Sequence, residues 1–137
     1  MERIICLAIG YLFGMFQTSY IIGKIHHMDI RQYGSGNAGT TNALRTLGKK
    51  AGAMTLIGDM LKCVIAILIV DAVFKNRYQE ILPLLGMYTA AGCVLGHNFP
   101  FYLGFRGGKG IAASAGMLLA MDWRVFLICA VIFIGLV

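Results

Sequence analysis

Long apolar runs alternate with short polar segments along the chain. The first uncharged run, 4–23, lies between Arg3 and Lys24. As a helix it would be about 30 Å long, which matches the hydrocarbon core of a bilayer. Further apolar runs predict helices over 53–74, 81–96, 110–121 and 125–137. Some of these runs are short for a complete span. The pattern therefore predicts an all-α, polytopic transmembrane helix bundle that contains short helices.

Two glycine-rich polar segments interrupt the apolar pattern, at 34–45 and at 96–110. If each apolar run crosses the membrane once, both segments lie on the same face. Seven lysines and arginines then lie on that face and four on the other, an excess that favours the cytoplasmic side for both segments. The sequence therefore predicts two cytoplasmic loops that together form one site.

The composition is that of a membrane protein rather than a soluble one. Hydrophobic residues make up 58% of the chain and charged residues 13%, whereas a soluble domain carries about 25% charged residues. The net charge of +6 is scattered between the apolar runs, which fits membrane topology and anionic ligands better than nucleic acid. The four cysteines lie singly within apolar runs, so we expect neither a disulfide nor a metal site, and no cofactor is predicted.

The first polar segment has the composition of a phosphate site. It reads Gly34-Ser35-Gly36-Asn37-Ala38-Gly39-Thr40-Thr41-Asn42-Ala43-Leu44-Arg45. Glycines expose backbone N–H groups, small hydroxyls and amides add neutral donors, and arginine offers a planar fork that suits phosphate. The residues predicted to act here are Ser35, Gly36, Asn37, Thr41, Asn42 and Arg45. The alternative is a flexible connection. The Gly-x-Gly-x-x-Gly spacing does not indicate dinucleotide binding, because no strand precedes it.

The second polar segment ends in Gly107-Gly108-Lys109-Gly110, directly before an apolar helix. The N–H groups and dipole at the start of that helix, together with the Lys109 ammonium, favour a bound anion. A hairpin with a lysine on the cytoplasmic side is the alternative. His97, earlier in the segment, is a candidate base, a candidate hydrogen-bond partner of a substrate, or only the end of its helix.

Asp59 and Lys62 lie three residues apart inside an apolar run, on one face of the predicted helix. Charges in a bilayer are costly and usually face a partner or a polar cavity. Two interpretations stay open: a mutual ion pair that holds the bundle together, or a lysine directed at a substrate phosphate and held by Asp59. In the first run, Gly10 and Gly14 form a small-xxx-small pair that predicts the close approach of another helix.

Taken together, these motifs resemble the membrane acyl-phosphate:glycerol-3-phosphate acyltransferases of bacteria, the PlsY family. The resemblance rests on the 34–45 motif, on Asp59-Met60-Leu61-Lys62, and on Gly96-His97-Asn98-Phe99-Pro100 followed by Phe105-Arg106-Gly107-Gly108-Lys109-Gly110. It implies an enzyme of phospholipid biosynthesis in the inner (plasma) membrane of a bacterium, with its site facing the cytoplasm. The implied reaction transfers a fatty acyl group from acyl phosphate to the 1-hydroxyl of sn-glycerol 3-phosphate, giving lysophosphatidate and phosphate.

The residues and the resemblance together assign roles within the site. The catalytic candidates are Ser35, Arg45 and His97. The candidates for substrate phosphate binding are Gly36, Asn37, Thr41, Asn42, Lys62, Gly107, Gly108, Lys109 and Gly110, with Asp59 in support. The implied partners are glycerol 3-phosphate, acyl phosphate, membrane lipid and the synthase that produces acyl phosphate, but not nucleic acid.

Two features depart from the family pattern. Cys63 follows Lys62 where family members often have glycine, and the third motif that the family carries on further helices is not present. We therefore expect 1–137 to be a single integral membrane acyltransferase domain that is truncated at its C-terminus. The alternative function is a membrane transporter for a phosphorylated metabolite, because broken helices and glycine-rich loops also build transport sites.

Overall fold

The computed structural model describes residues 1–136, and every regular element within them is helical. The α-helices of this part are α1 (Glu2–Gly14), α2 (Thr18–Ile25), α3 (Thr40–Leu47), α4 (Lys49–Phe74), α5 (Leu82–Asn98), α6 (Ile111–Met121) and α7 (Trp123–Leu136). Single 3₁₀ turns occur at Ile30–Gln32, Gln79–Ile81 and Phe101–Leu103. Two stretches, Glu2–Ile25 and Lys49–Phe74, are long and apolar enough to cross a membrane. The predicted all-α fold is confirmed.

The first predicted span consists of two helices instead of one. α1 ends at Gly14 and α2 begins at Thr18, and Gln17 between them is extended and fully buried. A break of this kind leaves backbone carbonyls without helical partners. At membrane depth it is tolerated only where the protein or water satisfies those groups. The break therefore requires hydrogen-bond donors from neighbouring helices.

Glycines allow α1 and α5 to pack with their backbones in contact. A Cβ added to Gly10 would overlap the carbonyl oxygen of Thr89, and one added to Gly14 would overlap that of Cys93. The relation is reciprocal, because a Cβ on Gly92 or Gly96 of α5 would overlap carbonyl oxygens of α1. Small residues at this spacing permit such close approach in membranes. The predicted close approach at Gly10 and Gly14 is confirmed.

The bundle keeps small side chains inside and large apolar side chains outside. Cys63, Ala90, Cys93 and Ala113 pack with Ile67 where α4, α5 and α6 meet. The outward-facing apolar side chains of α4 and α7 include Leu61, Leu68, Ile128, Val131 and Ile134. Lipid tails solvate such side chains, so close packing of small residues supplies much of the helix association.

Candidate active site

The loop between α2 and α3 is organised around the side chain of Asn42, which is 1% exposed. Its Nδ2 donates to the carbonyl oxygens of Ile30, Tyr33 and Asn37 at 3.1, 2.9 and 3.0 Å. Its Oδ1 accepts from the backbone N–H of Ser35 at 3.1 Å. The Asn42 side chain therefore holds the backbone of the loop, in place of the phosphate contact predicted for it.

Glycines make this loop conformation accessible. Gly34 and Gly36 have φ values of 56° and 76°, in the left-handed region that favours glycine. A Cβ on Gly34 would also overlap Oδ1 of Asn42. The loop then leads into α3 with Gly39 as its N-cap, and no side chain caps the first N–H groups of this helix. Those N–H groups are left to face a ligand or solvent.

The loop between α5 and α6 is attached to the last carbonyls of α5. The N–H of Gly108 donates to the His97 carbonyl at 3.1 Å, and the N–H of Gly107 donates to the Asn98 carbonyl at 3.1 Å. Gln17 Nε2, from the break between α1 and α2, donates to the same His97 carbonyl at 2.8 Å. Gly110, with φ 79°, is the N-cap of α6 and again provides no side-chain cap. The second loop therefore also ends in an uncapped helix N-terminus.

Arg31 of the first loop connects the two loops. Arg31 Nε and Nη2 donate to the carboxylate of Asp29 at 3.1 and 2.9 Å, and Nη1 donates to the Leu103 carbonyl at 2.7 Å. The hydrogen bonds from the Arg31 guanidinium hold the pKa of Asp29 below its usual value. From the sequence, Arg31 is one of the seven basic residues on the loop side. The Asp-x-Arg spacing was the available signal, but it does not indicate the contact with Leu103.

A cavity of ≈ 370 Å³ lies between the two loops. The first turns of α3 and α6 both border it, so two helix N-termini face one space. Arg45 and Lys109 add two cations to its wall, while Asp59 and His97 border it from α4 and α5. Uncapped N–H groups, the positive ends of two helix dipoles and two cations make the cavity suitable for anions.

A buried polar network lies next to this cavity. Lys62 Nζ is 2.7 Å from the Phe16 carbonyl oxygen, 3.0 Å from that of Gly14 and 2.7 Å from His97 Nδ1. It is also 3.1 Å from Oδ1 of Asp59. Asp59, Lys62 and His97 are all 5% exposed or less. Lys62 thus supplies donors to the carbonyls that the break after α1 leaves without partners, and it neutralises the buried carboxylate.

The structure brings most predicted site residues to the cavity. Those that border it are Ser35, Asn37, Thr41, Asn42, Arg45, Asp59, His97, Lys109 and Gly110. Four others do not. Gly36 has a left-handed backbone conformation in the first loop, and Gly107 and Gly108 lie against the end of α5. The ammonium of Lys62 donates its hydrogen bonds within the buried network. The geometry therefore favours the structural interpretation of the Asp59–Lys62 pair over a lysine directed at a substrate phosphate.

Several contacts near the network are not predicted by the sequence. Gln17 holds the His97 carbonyl, and Thr18 Oγ1 donates to Asp59 Oδ1 at 3.3 Å. Tyr102 donates its hydroxyl to the Met15 carbonyl at 2.6 Å, again at the break between α1 and α2. The polar triplet Gln17-Thr18-Ser19 inside an apolar run was the signal that this region is not a simple span.

An apolar groove of ≈ 490 Å³ lies between α1 and α4. Its lining residues are Leu12, Phe13, Phe16, Gly58, Leu61, Lys62 and Ile65. One residue of the buried network, Lys62, therefore borders the groove, while its partners Asp59 and His97 border the cavity between the two loops. The network therefore borders both the apolar groove and the polar cavity.

Comparison with known proteins gives a consistent result. The sequence profile of the family described as glycerol-3-phosphate acyltransferase matches residues 4–137. The glycerol-3-phosphate acyltransferase of Clostridioides difficile (strain 630) is 53% identical over 133 residues, which cover 96% of this chain and 64% of that protein. That of Lactiplantibacillus plantarum is 46% identical over 140 residues, covering 100% of this chain and 64% of that protein. The chain thus spans 64% of the length of both relatives.

The fold is also similar to a solved structure. A crystal structure of PlsY (YgiH), an integral membrane glycerol 3-phosphate acyltransferase, in its glycerol 3-phosphate form, matches with a TM-score of 0.81 at 34% identity. The match covers 99% of this chain and 66% of that one. The lysophosphatidic acid form of the same protein matches with a TM-score of 0.79 at 33% identity. The similarity in sequence and in fold therefore extends over nearly all of the present chain.

Proposed function

Because the chain belongs to the glycerol-3-phosphate acyltransferase family, we propose that its cavity binds two phosphate-bearing substrates and transfers an acyl group between them. The acceptor is glycerol 3-phosphate and the donor is an acyl phosphate. The observation that carries the proposal is the convergence of two uncapped helix N-termini with Arg45 and Lys109 on one cavity. Two phosphate groups bound side by side repel each other, and the two helix N-termini and two cations offset that repulsion.

Each loop serves one phosphate. Lys109, Gly110 and the first turn of α6 bind the phosphate of glycerol 3-phosphate. Ser35, Asn37, Thr41 and Arg45 bind the phosphate of the donor, with the planar guanidinium as a bidentate partner. Gly36, Gly107 and Gly108 act through the backbone conformation of the loops. Asn42 positions this machinery through its hydrogen bonds to the first loop.

The proposed chemistry is a direct acyl transfer. The 1-hydroxyl oxygen of glycerol 3-phosphate attacks the acyl carbon, an ester C–O bond forms, and the bond between the acyl carbon and the phosphate oxygen breaks. The hydroxyl proton passes to an oxygen of the departing phosphate, so the products are lysophosphatidate and inorganic phosphate. Acyl phosphate is an already activated mixed anhydride, so positioning and charge stabilisation supply the rate and no cofactor takes part.

The acyl chain of the donor lies in the groove between α1 and α4. This groove is apolar, and it borders Lys62, whose network partners Asp59 and His97 border the cavity. An apolar chain placed there stays in the membrane while its phosphate reaches the polar loops. The excess of basic residues on the loop side supports a cytoplasmic orientation of the site in a bacterial inner membrane. From that side the site is accessible to soluble glycerol 3-phosphate and to the synthase that produces acyl phosphate.

The test is an acyl-transfer assay in reconstituted membranes with labelled glycerol 3-phosphate. Parallel arms offer acyl phosphate, acyl coenzyme A or acyl carrier protein as donor. The chain is assayed alone and fused to the part of the Clostridioides difficile relative that it does not cover, because it spans 64% of that protein. Formation of lysophosphatidate only with acyl phosphate supports the proposal. Transfer from acyl coenzyme A alone, or uptake of labelled glycerol 3-phosphate into sealed vesicles without acylation, contradicts it.

A further inference from the structure

The ammonium of Lys62 has more acceptors around it than it has protons. It offers three N–H donors and no acceptor, and four acceptor atoms lie within 3.1 Å of Nζ. The two shortest contacts, both 2.7 Å, are to the Phe16 carbonyl and to His97 Nδ1. The Gly14 carbonyl and the Asp59 carboxylate lie slightly farther away, at 3.0 and 3.1 Å. The contact with His97 is therefore one of the two shortest that this lysine makes.

We infer that Lys62 is a positioning residue that fixes the tautomer of His97. The ammonium can only donate, so Nδ1 of His97 accepts and carries no proton. The ring proton of the neutral imidazole is then on Nε2. His97 consequently meets the substrate as a hydrogen-bond donor and not as a general base. This inference rests on the proposed function for the identity of the substrate, but the tautomer itself follows from the contacts within the chain.

The surroundings of His97 fix its backbone and place Nε2 of its ring against the second loop. Its backbone carbonyl accepts from Gln17 Nε2 at 2.8 Å and from the Gly108 N–H at 3.1 Å. Nε2 faces Gly108 of the second loop so closely that an added Cβ there would overlap it. His97 also borders the anion-binding cavity. A donor at Nε2 therefore meets the loop and cavity in which the substrate phosphates are proposed to bind.

The break between α1 and α2 explains why a lysine can perform this role. An unbroken helix would pair the carbonyls of Gly14 and Phe16 internally, and Nζ would lose two of its acceptors. With the break, both carbonyls contact the ammonium, while Asp59 at 3.1 Å neutralises it. The same atom thus stabilises the break and orients the imidazole. Loss of the break and loss of the His97 orientation are expected to occur together.

The decisive measurement is the ¹⁵N spectrum of histidine-labelled protein in lipid nanodiscs, without substrate. A protonated and an unprotonated ring nitrogen have well-separated ¹⁵N shifts, so the two neutral tautomers are distinguishable. The signals of His97 are assigned by their loss in His97→Gln, which leaves those of His26 and His27. We expect the Nε2–H tautomer. The Nδ1–H tautomer, or an imidazolium, would overturn the inference.

A pair of variants tests the part played by Lys62. Lys62→Met alone leaves a buried carboxylate unpaired, so the test variant is Asp59→Asn combined with Lys62→Met. We expect this variant to show a mixture of tautomers and to lose activity about tenfold to hundredfold in kcat. Thr18→Val is the matched control, because it removes a hydrogen bond to Asp59 and leaves the contact between Lys62 and His97. A pure Nε2–H tautomer in the double variant, or a changed tautomer in Thr18→Val, would contradict the role of Lys62.

The outcomes separate this inference from the proposed function. An Nε2–H tautomer in a chain that transfers no acyl group, alone or fused, supports the tautomer and counts against the function. Acyl transfer by a chain with the Nδ1–H tautomer overturns the inference and leaves the function supported.

Discussion

Arg45 and Lys62 are both cations close to one cavity, but their surroundings differ. Arg45 is exposed and lies on the cavity wall, one helical turn after the N-terminus of α3. Lys62 is 5% exposed, and Nζ has two carbonyls, a carboxylate and an imidazole nitrogen within 3.1 Å. A cation whose donors are all satisfied within the protein has no free donor for a phosphate. The comparison shows that residue type alone does not distinguish a ligand contact from a structural one.

The largest expected effect tests the structural side of this comparison. Lys62→Met removes the partner of the buried Asp59 and the donor to two orphan carbonyls. Breaking a buried pair in this way costs about 3–5 kcal/mol. We expect a large drop in the thermal unfolding temperature in detergent, measured by circular dichroism. Adding Asp59→Asn should recover part of the loss, and a single variant as stable as the parent would show that the network is not structural.

Arg45→Lys tests the ligand side and is expected to have the second largest effect. The charge is kept, but the bidentate fork is lost. A charged hydrogen bond contributes about 1.5–3 kcal/mol, so kcat/KM for the acyl phosphate should fall about tenfold to hundredfold in the active arm of the membrane assay. Thermal stability should stay unchanged. Lys50→Arg, elsewhere on the same side, is the matched control, and normal kinetics of Arg45→Lys would remove this arginine from the site.

Gly108→Ala tests whether the His97 ring is held against the second loop. The new Cβ would overlap Nε2 of His97, so the ring must move while the cations stay in place. Displacement of a positioned group lowers rate more than affinity, and we expect kcat to fall about tenfold. Gly135→Ala is the control, because nothing lies within 4 Å of a Cβ at that position. Equal kinetics for the two variants would mean that His97 is not held against the second loop.

Ile65→Trp tests the apolar groove between α1 and α4, and its expected effect is smaller than those above. The larger ring fills part of the groove between α1 and α4, so longer acyl chains should be disfavoured. Burying one methylene contributes about 0.8 kcal/mol, or about fourfold in kcat/KM for each methylene excluded. Competition between acyl phosphates of different length measures the shift. Leu68→Trp, on an exposed part of α4, should leave the preference unchanged, and a shift in both variants would argue against the groove.

The smallest expected effect concerns the link between the loops. Arg31 lowers the pKa of Asp29, so this carboxylate stabilises the fold above the pKa that it has in the unfolded chain. The contribution is lost as the pH falls through the lower, folded-state pKa. A partly exposed pair of this kind contributes less than about 1 kcal/mol. The difference in unfolding temperature between Asp29→Asn and its parent should therefore be slightly smaller at pH 3 than at pH 6. An equal difference at both pH values would exclude a contribution from the pair.

The sequence predicts much of the architecture because its signals are local. Apolar runs, glycine spacing and the composition of two loops depend on neighbouring residues only. Gly10 and Gly14 illustrate this, since their spacing alone predicts the close contact that the structure contains. The composition of the two loops also indicates where cations and backbone donors are concentrated.

The remaining features depend on contacts between residues that are distant in the chain. Asn42 has the composition of a phosphate ligand, but its donors face carbonyls of its own loop. Lys62 contacts carbonyls 46 and 48 residues away, at the break between α1 and α2. Arg31 reaches Leu103 across 72 residues. No periodicity or spacing rule specifies such pairs, so they required the structure.

The glycine interface between α1 and α5 has a mechanical consequence. Two helices that touch along their backbones have no long side chains between them to absorb sliding or tilting, so they should move as a single rigid body. The Lys62 site at the end of α1 and the attachment of the second loop at the end of α5 both belong to that body. Breathing of the cavity is then expected to come from α3, whose first turn borders it. Substrate entry and product release are expected to follow the motion of that short helix, while the histidine remains stationary.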